Sequence, residues 1–384
     1  MAREDHVVNE DAQETLSGVV ERGRILCYRV YDVGDTIALD AAERRLGAKR
    51  VTMGGPLIGG LVIPVRPLAL ALDTCVIEIA SVGRLLTASC SAHVFEFGAI
   101  SLLYDIPIEP GTPLEALTPL CHALYDAPEI ARRGQQHRGE VMTRLGDSIE
   151  TPHDWNEAET YTVVFIERLA CATDAAHRAS VAALSTSETV ARLLLGEVSV
   201  APLSAATRDD VLKNAFSYLV DDLVIIDWNS ALVVEPSGSR IVPFVLELAT
   251  SQLLEFRFYD RLLDQELKAV YDTVETAPPR VFRSPYGRLV RKVLRRFMEL
   301  TEFTERVDNA IKSVGDVYLA RVYLSAIHRF RVPNWRESVE AKLSLVARAY
   351  ELLKVEVEVS RSQILEVVVV VLILVELVTA LRGH

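Results

Sequence analysis

The sequence has few cysteines and no local cysteine pattern. Five occur in 384 residues: Cys27, Cys75, Cys90, Cys121 and Cys171. They are widely spaced, odd in number and include no C-x-x-C, which argues against a disulfide framework and for small buried thiols in a reducing compartment. Positive charge is also scarce. Lys and Arg total 41 against 53 Asp and Glu, a net charge of −12. That balance argues against a whole-surface nucleic-acid binder. The polar, acidic start as far as about Ser17 lacks a charged n-region followed by an apolar h-region, and lacks an Arg-rich transit pattern. The expectation is a chain whose bulk stays in the cytoplasm.

Catalytic motifs are missing too. The stretch Gly54-Gly55-Pro56-Leu57-Ile58-Gly59-Gly60 has no G-K-[ST] ending, so it is not a P-loop. There is no G-x-G-x-x-G after a strand and no G-x-S-x-G nucleophile elbow. The eight histidines include no H-E-x-x-H pair. Cys121 and His122 are adjacent and would point apart on a helix, a poor metal pair. No cofactor is implied.

What the sequence does have is apolar mass. Hydrophobic residues make up 50% and charged residues 24%. That is enough for a sizeable core and excludes a disordered or collagen-like chain. The first two-thirds alternate short segments. Strands are expected over Arg24–Tyr31, Cys75–Ala80, His93–Phe97, Ile100–Ile108, Tyr161–Ala170, Leu219–Trp228 and Ser230–Glu235. Helices are expected over Leu39–Leu46, Leu114–Tyr125, Pro128–Leu145, Ser185–Leu195 and Thr207–Phe216. Phe97-Gly98-Ala99 reads as a tight hairpin connection. Ser185 with Glu188 has capping-box spacing. This pattern predicts an α+β (or α/β) N-terminal domain.

Beyond Pro243 the pattern turns helical. Phe244, Leu248, Phe256, Tyr259, Leu263, Leu267 and Val270 recur at helical spacing, and Ala277-Pro278-Pro279 ends that helix. Val293, Phe297, Leu300, Val307, Ile311, Val314 and Tyr318 form a seam of period 3.5. After Pro333, Val339, Leu343, Val346, Tyr350, Leu353 and Val357 repeat it. Asn334 with Glu337 offers a cap. The expected organisation is an acidic flexible N-terminus (1–20), an α/β domain (21–242), a helical-hairpin or coiled-coil arm (243–363, turning at 331–334) and an apolar tail (364–381).

The tail explains the mean hydropathy of +0.20. Ile364 to Leu381 holds 18 residues with two charges, Glu366 and Glu376. As a helix it would span about 27 Å, close to a hydrocarbon core of about 30 Å. It is expected to cross a membrane once, with the N-terminal domain in the cytoplasm; a buried helix or a strand is the alternative. Arg280, Arg283, Arg288, Arg291, Lys292, Arg295 and Arg296 form a basic cluster without acids. That cluster suits lipid headgroups, a solvated helix face or RNA phosphates.

The acidic group Asp221, Asp222 and Asp227 carries one catalytic hypothesis. Asp221 and Asp227 would converge with Glu255 on a magnesium or general-base site. The structural reading of Asp227-Trp228-Asn229-Ser230, turn hydrogen bonds at a strand end, is preferred.

Three segments carry a family resemblance: Asp221-Asp222 with Asp227-Trp228-Asn229-Ser230-Ala231-Leu232; Leu253-Leu254-Glu255-Phe256-Arg257-Phe258-Tyr259-Asp260; and Glu366 with Glu376. Together they resemble the "required for meiotic nuclear division" family, in a bacterial form. The resemblance implies an α/β domain with a helical arm ending in a membrane helix, and relatives that support organelle translation. Asp222, Asp227, Trp228, Asn229, Arg257 and Tyr259 match its pattern without a role. The expected function is a non-enzymatic, membrane-anchored scaffold, a homo-oligomer holding a protein partner. Glu376 would serve as polar glue between tails. The rivals are a metal-dependent enzyme near Asp222 and Asp227, and an RNA-associated module using Arg280–Arg296.

Overall fold

A computed structural model describes residues 18–51, 65–125, 127–276 and 317–349, with isolated helical positions at 295, 298, 301, 305, 369, 372 and 373. The chain divides into two compact units. One holds Met1–Glu255 and Phe303–Val332; the other holds Phe256–Glu302 and Pro333–His384.

The first unit is built on β1 (Val19–Asp32), a strand of 14 residues. It runs between β7 (Ala99–Pro107) and β10 (Glu159–Leu169), antiparallel to both. The remaining strands are β2 (Gly34–Ile37), β3 (Lys49–Arg50), β4 (Leu68–Ala71), β5 (Cys75–Ile79), β6 (Arg84–Val94), β8 (Thr112–Pro113), β9 (Ile149–Pro152), β11 (Ala215–Phe216), β12 (Leu223–Ile226) and β13 (Ser230–Val234). One sheet orders them β11-β12-β13-β10-β1-β7-β6-β4-β3, with β5 added on β6 and β8 on β1. β2 and β9 form a small second sheet. Only β10 and β13 pair in parallel among the described strands. The fold is therefore mixed α+β, with a large, mainly antiparallel sheet.

Helices cover the sheet because their apolar stripes match it. They are α1 (Leu39–Leu46), α2 (Leu114–Tyr125), α3 (Pro128–Leu145), α4 (Asp174–Leu184), α5 (Glu188–Leu195) and α6 (Ala205–Leu212). α2 turns Leu114, Leu117, Leu120 and Leu124 inward, and α3 turns Ile130, Val141 and Leu145. Those leucines join Ile25, Tyr31, Ile77, Val94, Ile100 and Tyr104 of the strands in one core. Gly98 closes the β6–β7 connection at φ +98, where a Cβ would meet the Gly34 carbonyl at 1.9 Å. Only glycine fits that approach.

α7 (Ile241–Thr276) is a helix of 36 residues. Ile241 to Phe256 are buried all round, as in a helix taken into a core. α8 (Val317–Arg329) follows; its Leu319, Val322, Tyr323 and Ala326 are buried. The chain turns at Phe330 and Arg331, with Arg331 at φ +56. In the second unit, a helix over 332–349 puts Lys342 2.8 Å from Asp260 and 2.7 Å from Asp264.

Three local expectations need correction. The helix expected over Ser185–Leu195 begins later, as α5 from Glu188, because Ser187 rather than Ser185 caps it by accepting from the Val190 N–H; α4, which ends at Leu184, was not expected. The segment expected to be helical to Phe216 ends at Leu212, because β11 uses Ala215 and Phe216 to pair with β12. The strand expected over His93–Phe97 runs Arg84–Val94, its serine- and threonine-rich half hidden by alternation with small residues.

The membrane expectation is also overturned. Among the described residues no helix is long and apolar enough to cross a membrane. This goes against a membrane-anchored protein with a single C-terminal pass. The tail at 364–381, with Glu366 and Glu376, lies outside the described residues except for Val369, Leu372 and Ile373, which are helical and exposed.

Candidate functional site

The acidic group is the natural place to start. Asp222 lies just before β12 and is buried. Its carboxylate accepts the Tyr218 N–H at 2.7 Å, the Leu219 N–H at 3.0 Å and the Ser217 hydroxyl at 3.0 Å. All three of these bonds go to the loop that precedes it. The result is a rigid tip in which Tyr218, Leu219 and Val220 are 57%, 58% and 74% exposed. Beside that tip, α4 and Ala215–Leu223 enclose an open groove of about 710 Å³. Arg178, Val181, Ser185, Phe216, Leu219 and Asp222 are among its lining.

Asp227 has a different duty. It follows β12 and is buried, and its Oδ1 accepts from Arg329 Nε at 2.9 Å and from a terminal guanidinium nitrogen at 2.5 Å. Arg329 also reaches Asp210 at 3.0 Å. Burial works against its charge, but the two carboxylates hold its pKa above the usual arginine value. The Tyr161 hydroxyl donates toward the carbonyls of Asp227 at 3.1 Å and Ser230 at 2.8 Å. The Phe330 ring packs against Tyr161 at a tilt of 57°, centroids 4.9 Å apart. Trp228 is partly exposed under the Arg331 guanidinium at 5.2 Å. The Asn229 carbonyl accepts the Thr162 N–H. This cluster fastens the end of α8 to the sheet.

The proposed metal set is not assembled. Among the described residues no three His, Cys, Asp or Glu side chains are placed to hold a metal. Asp221 is half-buried in the loop, Asp227 is paired to Arg329, and Glu255 is buried on α7. Arg257 and Tyr259 belong to the second unit, where the Arg257 guanidinium lies 5.6 Å from the Trp335 ring and Tyr259 packs on Phe258. Of the basic cluster, Arg295 is helical and exposed; the others lie outside the described residues.

Two further polar clusters had no sequence signal. His153 bridges Asp32 and Asp35, Nδ1 to Asp32 at 2.9 Å and Nε2 to Asp35 at 3.0 Å. Burial opposes the charge on this imidazole. The two carboxylates outweigh it and hold its pKa up at about 9. On α7, Glu247 is buried and meets His93 of β6 at 2.9 Å. Burial lowers the His93 pKa, the Glu247 charge and hydrogen bond raise it, and the net direction is up. Each pair is more than a hundred residues apart in sequence, so only the tertiary fold reveals it.

The comparisons with known proteins agree on one assignment. The family model "Uncharacterized protein MJ0711, N-terminal domain" matches residues 22–240. The uncharacterized protein MJ0711 of Methanocaldococcus jannaschii is 22% identical over 174 residues, 45% of this chain and 53% of the relative. The chain thus matches about half the length of that relative. No solved structure matches the chain. These matches overturn the resemblance to the "required for meiotic nuclear division" family. The segments that carried it are short and have local causes: Asp227–Ser230 is the bend between β12 and β13, closed by the Asp227 N–H on the Ser230 carbonyl, and Leu253–Asp260 is a buried to half-buried run of α7. The family match begins inside β1 and ends just before α7, covering the large sheet from β1 to β13, and the chain belongs to the MJ0711 N-terminal domain family.

Proposed function

We propose that this protein is a non-enzymatic scaffold that works as a homo-oligomer. One observation carries the reading: Tyr218, Leu219 and Val220 are consecutive, apolar, exposed and held outward by Asp222. Single exposed apolar residues are ordinary. A contiguous set on a fastened loop marks a contact surface.

The occupant is a second copy of the chain. β11 ends the large sheet next to this loop. An edge strand presents backbone donors and acceptors, and two copies of one edge pair antiparallel about a two-fold axis. The loop residues would then cover each other beside the joined edges. The heptad seams are the weaker candidate. Tyr318, Val339, Leu343 and Val346 are already buried within one chain, so this part of the seam is not free to pair with another copy. The charge of Asp227 and the acceptors of Asp222 are also committed, which removes the main support for a metal-dependent enzyme there.

Light scattering of the full chain tests the reading. The expected mass is a multiple of 42.6 kDa. Leu219→Asp with Val220→Asp should reduce it to one chain that melts no lower than the dilute wild type, because both side chains are exposed. A wild-type chain that stays single at high concentration overturns the proposal, and so does a double variant that keeps the oligomer mass.

A further inference from the structure

Two of the buried thiols are neighbours. Cys75 opens β5, Cys90 lies on β6, and their sulfurs are 3.3 Å apart. Both point to the inner face of the sheet and are 6% exposed. Both are free thiols.

Their approach has a cause in the strand ladder. Leu72 pairs with Cys90 through its N–H, and Cys75 stands opposite Ala88. Asp73 and Thr74 therefore stand against the single residue Ser89. The burial alternation shows the same extra residue: Leu68 and Leu70 point inward, then Cys75, Ile77 and Ile79. This is a β-bulge, which bends the strand. In a regular ladder, diagonal neighbours such as Cys75 and Cys90 lie about 7–8 Å apart. The two side chains reach across that diagonal, and their sulfurs meet at 3.3 Å.

We propose that Cys75 and Cys90 form a reversible dithiol–disulfide site that takes a small peroxide as oxidant. A disulfide needs its sulfurs about 2.05 Å apart, and these two already touch at 3.3 Å. Cys75 is the attacking residue. It starts an edge strand beside the exposed Asp73 and Thr74. The hydrogen bond from Cys90 lowers its pKa to about 7 against the opposing effect of burial, with help from the Arg133 charge. The Cys90 thiol is pushed up by that same contact and by burial. Burial, with the nearby Cys27, pushes Cys121 up, and burial raises Cys27 to about 12 against a hydrogen bond to Thr162, which leaves both unreactive.

The steps balance. The Cys75 thiolate attacks one peroxide oxygen, the O–O bond breaks, and hydroxide leaves and takes a proton to become water. Cys75 is now a sulfenic acid. The Cys90 sulfur attacks the Cys75 sulfur, an S–S bond forms and the S–O bond breaks. The departing hydroxyl leaves as water with the Cys90 proton. Two thiols have given two electrons to the peroxide; two equivalents of a small thiol return them, the first forming a mixed disulfide and the second displacing it as the small disulfide.

The test is thiol counting and peptide mass mapping on the folded full-length chain after treatment with hydrogen peroxide. The expected result is a fall from five titratable thiols to three, a loss of two hydrogens in mass, and one cross-link joining the Cys75 and Cys90 peptides, all reversed by dithiothreitol. Cys90→Ser should trap a sulfenic acid at Cys75 that a dimedone probe labels; Cys75→Ser should leave Cys90 unlabelled. Five thiols remaining in the folded wild-type chain, or a cross-link between any other pair, overturns the proposal. The wild-type arm decides it even if a variant fails to fold.

Discussion

At the residue scale, the acids of this protein hold structure together through fixed partners, and their loss has a signed cost. His153 is protonated between Asp32 and Asp35, with a folded pKa of about 9 against 6.5 for the free side chain. A raised basic pKa stabilises the fold fully below about 6.5 and loses that contribution as pH rises through about 9. The gap corresponds to about 3 kcal/mol at most. The Asp32 carboxyl is itself pushed up by burial, so its contribution also falls with rising pH, but from 3.8 upward on the acid side. Denaturant melts from neutral to alkaline pH should show stability falling for the wild type and a flatter curve for His153→Gln; parallel curves would remove His153 from the account. Asp227 offers a second test. Arg329→Ala would leave a buried carboxylate without its cation, a loss of about 3–5 kcal/mol that chemical denaturation reads directly. Asp222 and Asp227 could be picked out from sequence as unusual acids. Their partners could not: Asp222 bonds backbone groups of its own loop, whereas Arg329 lies 102 residues from Asp227.

At the element scale, α7 shows what a sequence pattern conveys and what it omits. Its apolar spacing was legible as far as the described residues run. The apolar spacing says nothing of the polar residues between, and Glu247, Thr250, Ser251 and Gln252 are all buried. Thr250 and Ser251 return their hydroxyls to the carbonyls of Leu246 and Glu247, both at 2.9 Å. The Gln252 oxygen accepts from Tyr323 at 2.8 Å, and Glu247 meets His93. A helix buried on all sides must satisfy its polar groups this way. Glu247→Ala should therefore cost about 3 kcal/mol, because it strands a buried imidazole that a carboxylate now pairs; a melting temperature unchanged from wild type would show that water replaces the pair. Caps give smaller effects. Ser187 and Ser204 each accept a backbone N–H at the start of a helix, and changing either to Ala should cost about 1 kcal/mol. The sequence reading placed the cap of α5 at Ser185 rather than Ser187 because Ser185-Thr186-Ser187 offers several capping hydroxyls.

At the scale of the whole molecule, the large sheet was legible as an alternation of short strands and helices, but its order was not. β1 pairs with β10 and β7, strands far along the chain, and β13 returns parallel to β10 after three helices. Such long-range pairing leaves no local mark. It also places β11, a strand of two residues, at the end of the sheet, and there the scaffold reading makes its widest prediction. If two copies join through this edge and the Tyr218–Val220 loop, folding and association are linked. Mass action then stabilises the folded oligomer as concentration rises, while the unfolded chain gains nothing. The melting temperature of the wild type should climb across about a hundredfold range of concentration, since dimer stability depends on protomer concentration. Leu219→Asp with Val220→Asp should melt at one temperature throughout that range, equal to the wild type at its most dilute. A wild-type melting temperature independent of concentration would separate the exposed loop from self-association and leave it to a different partner.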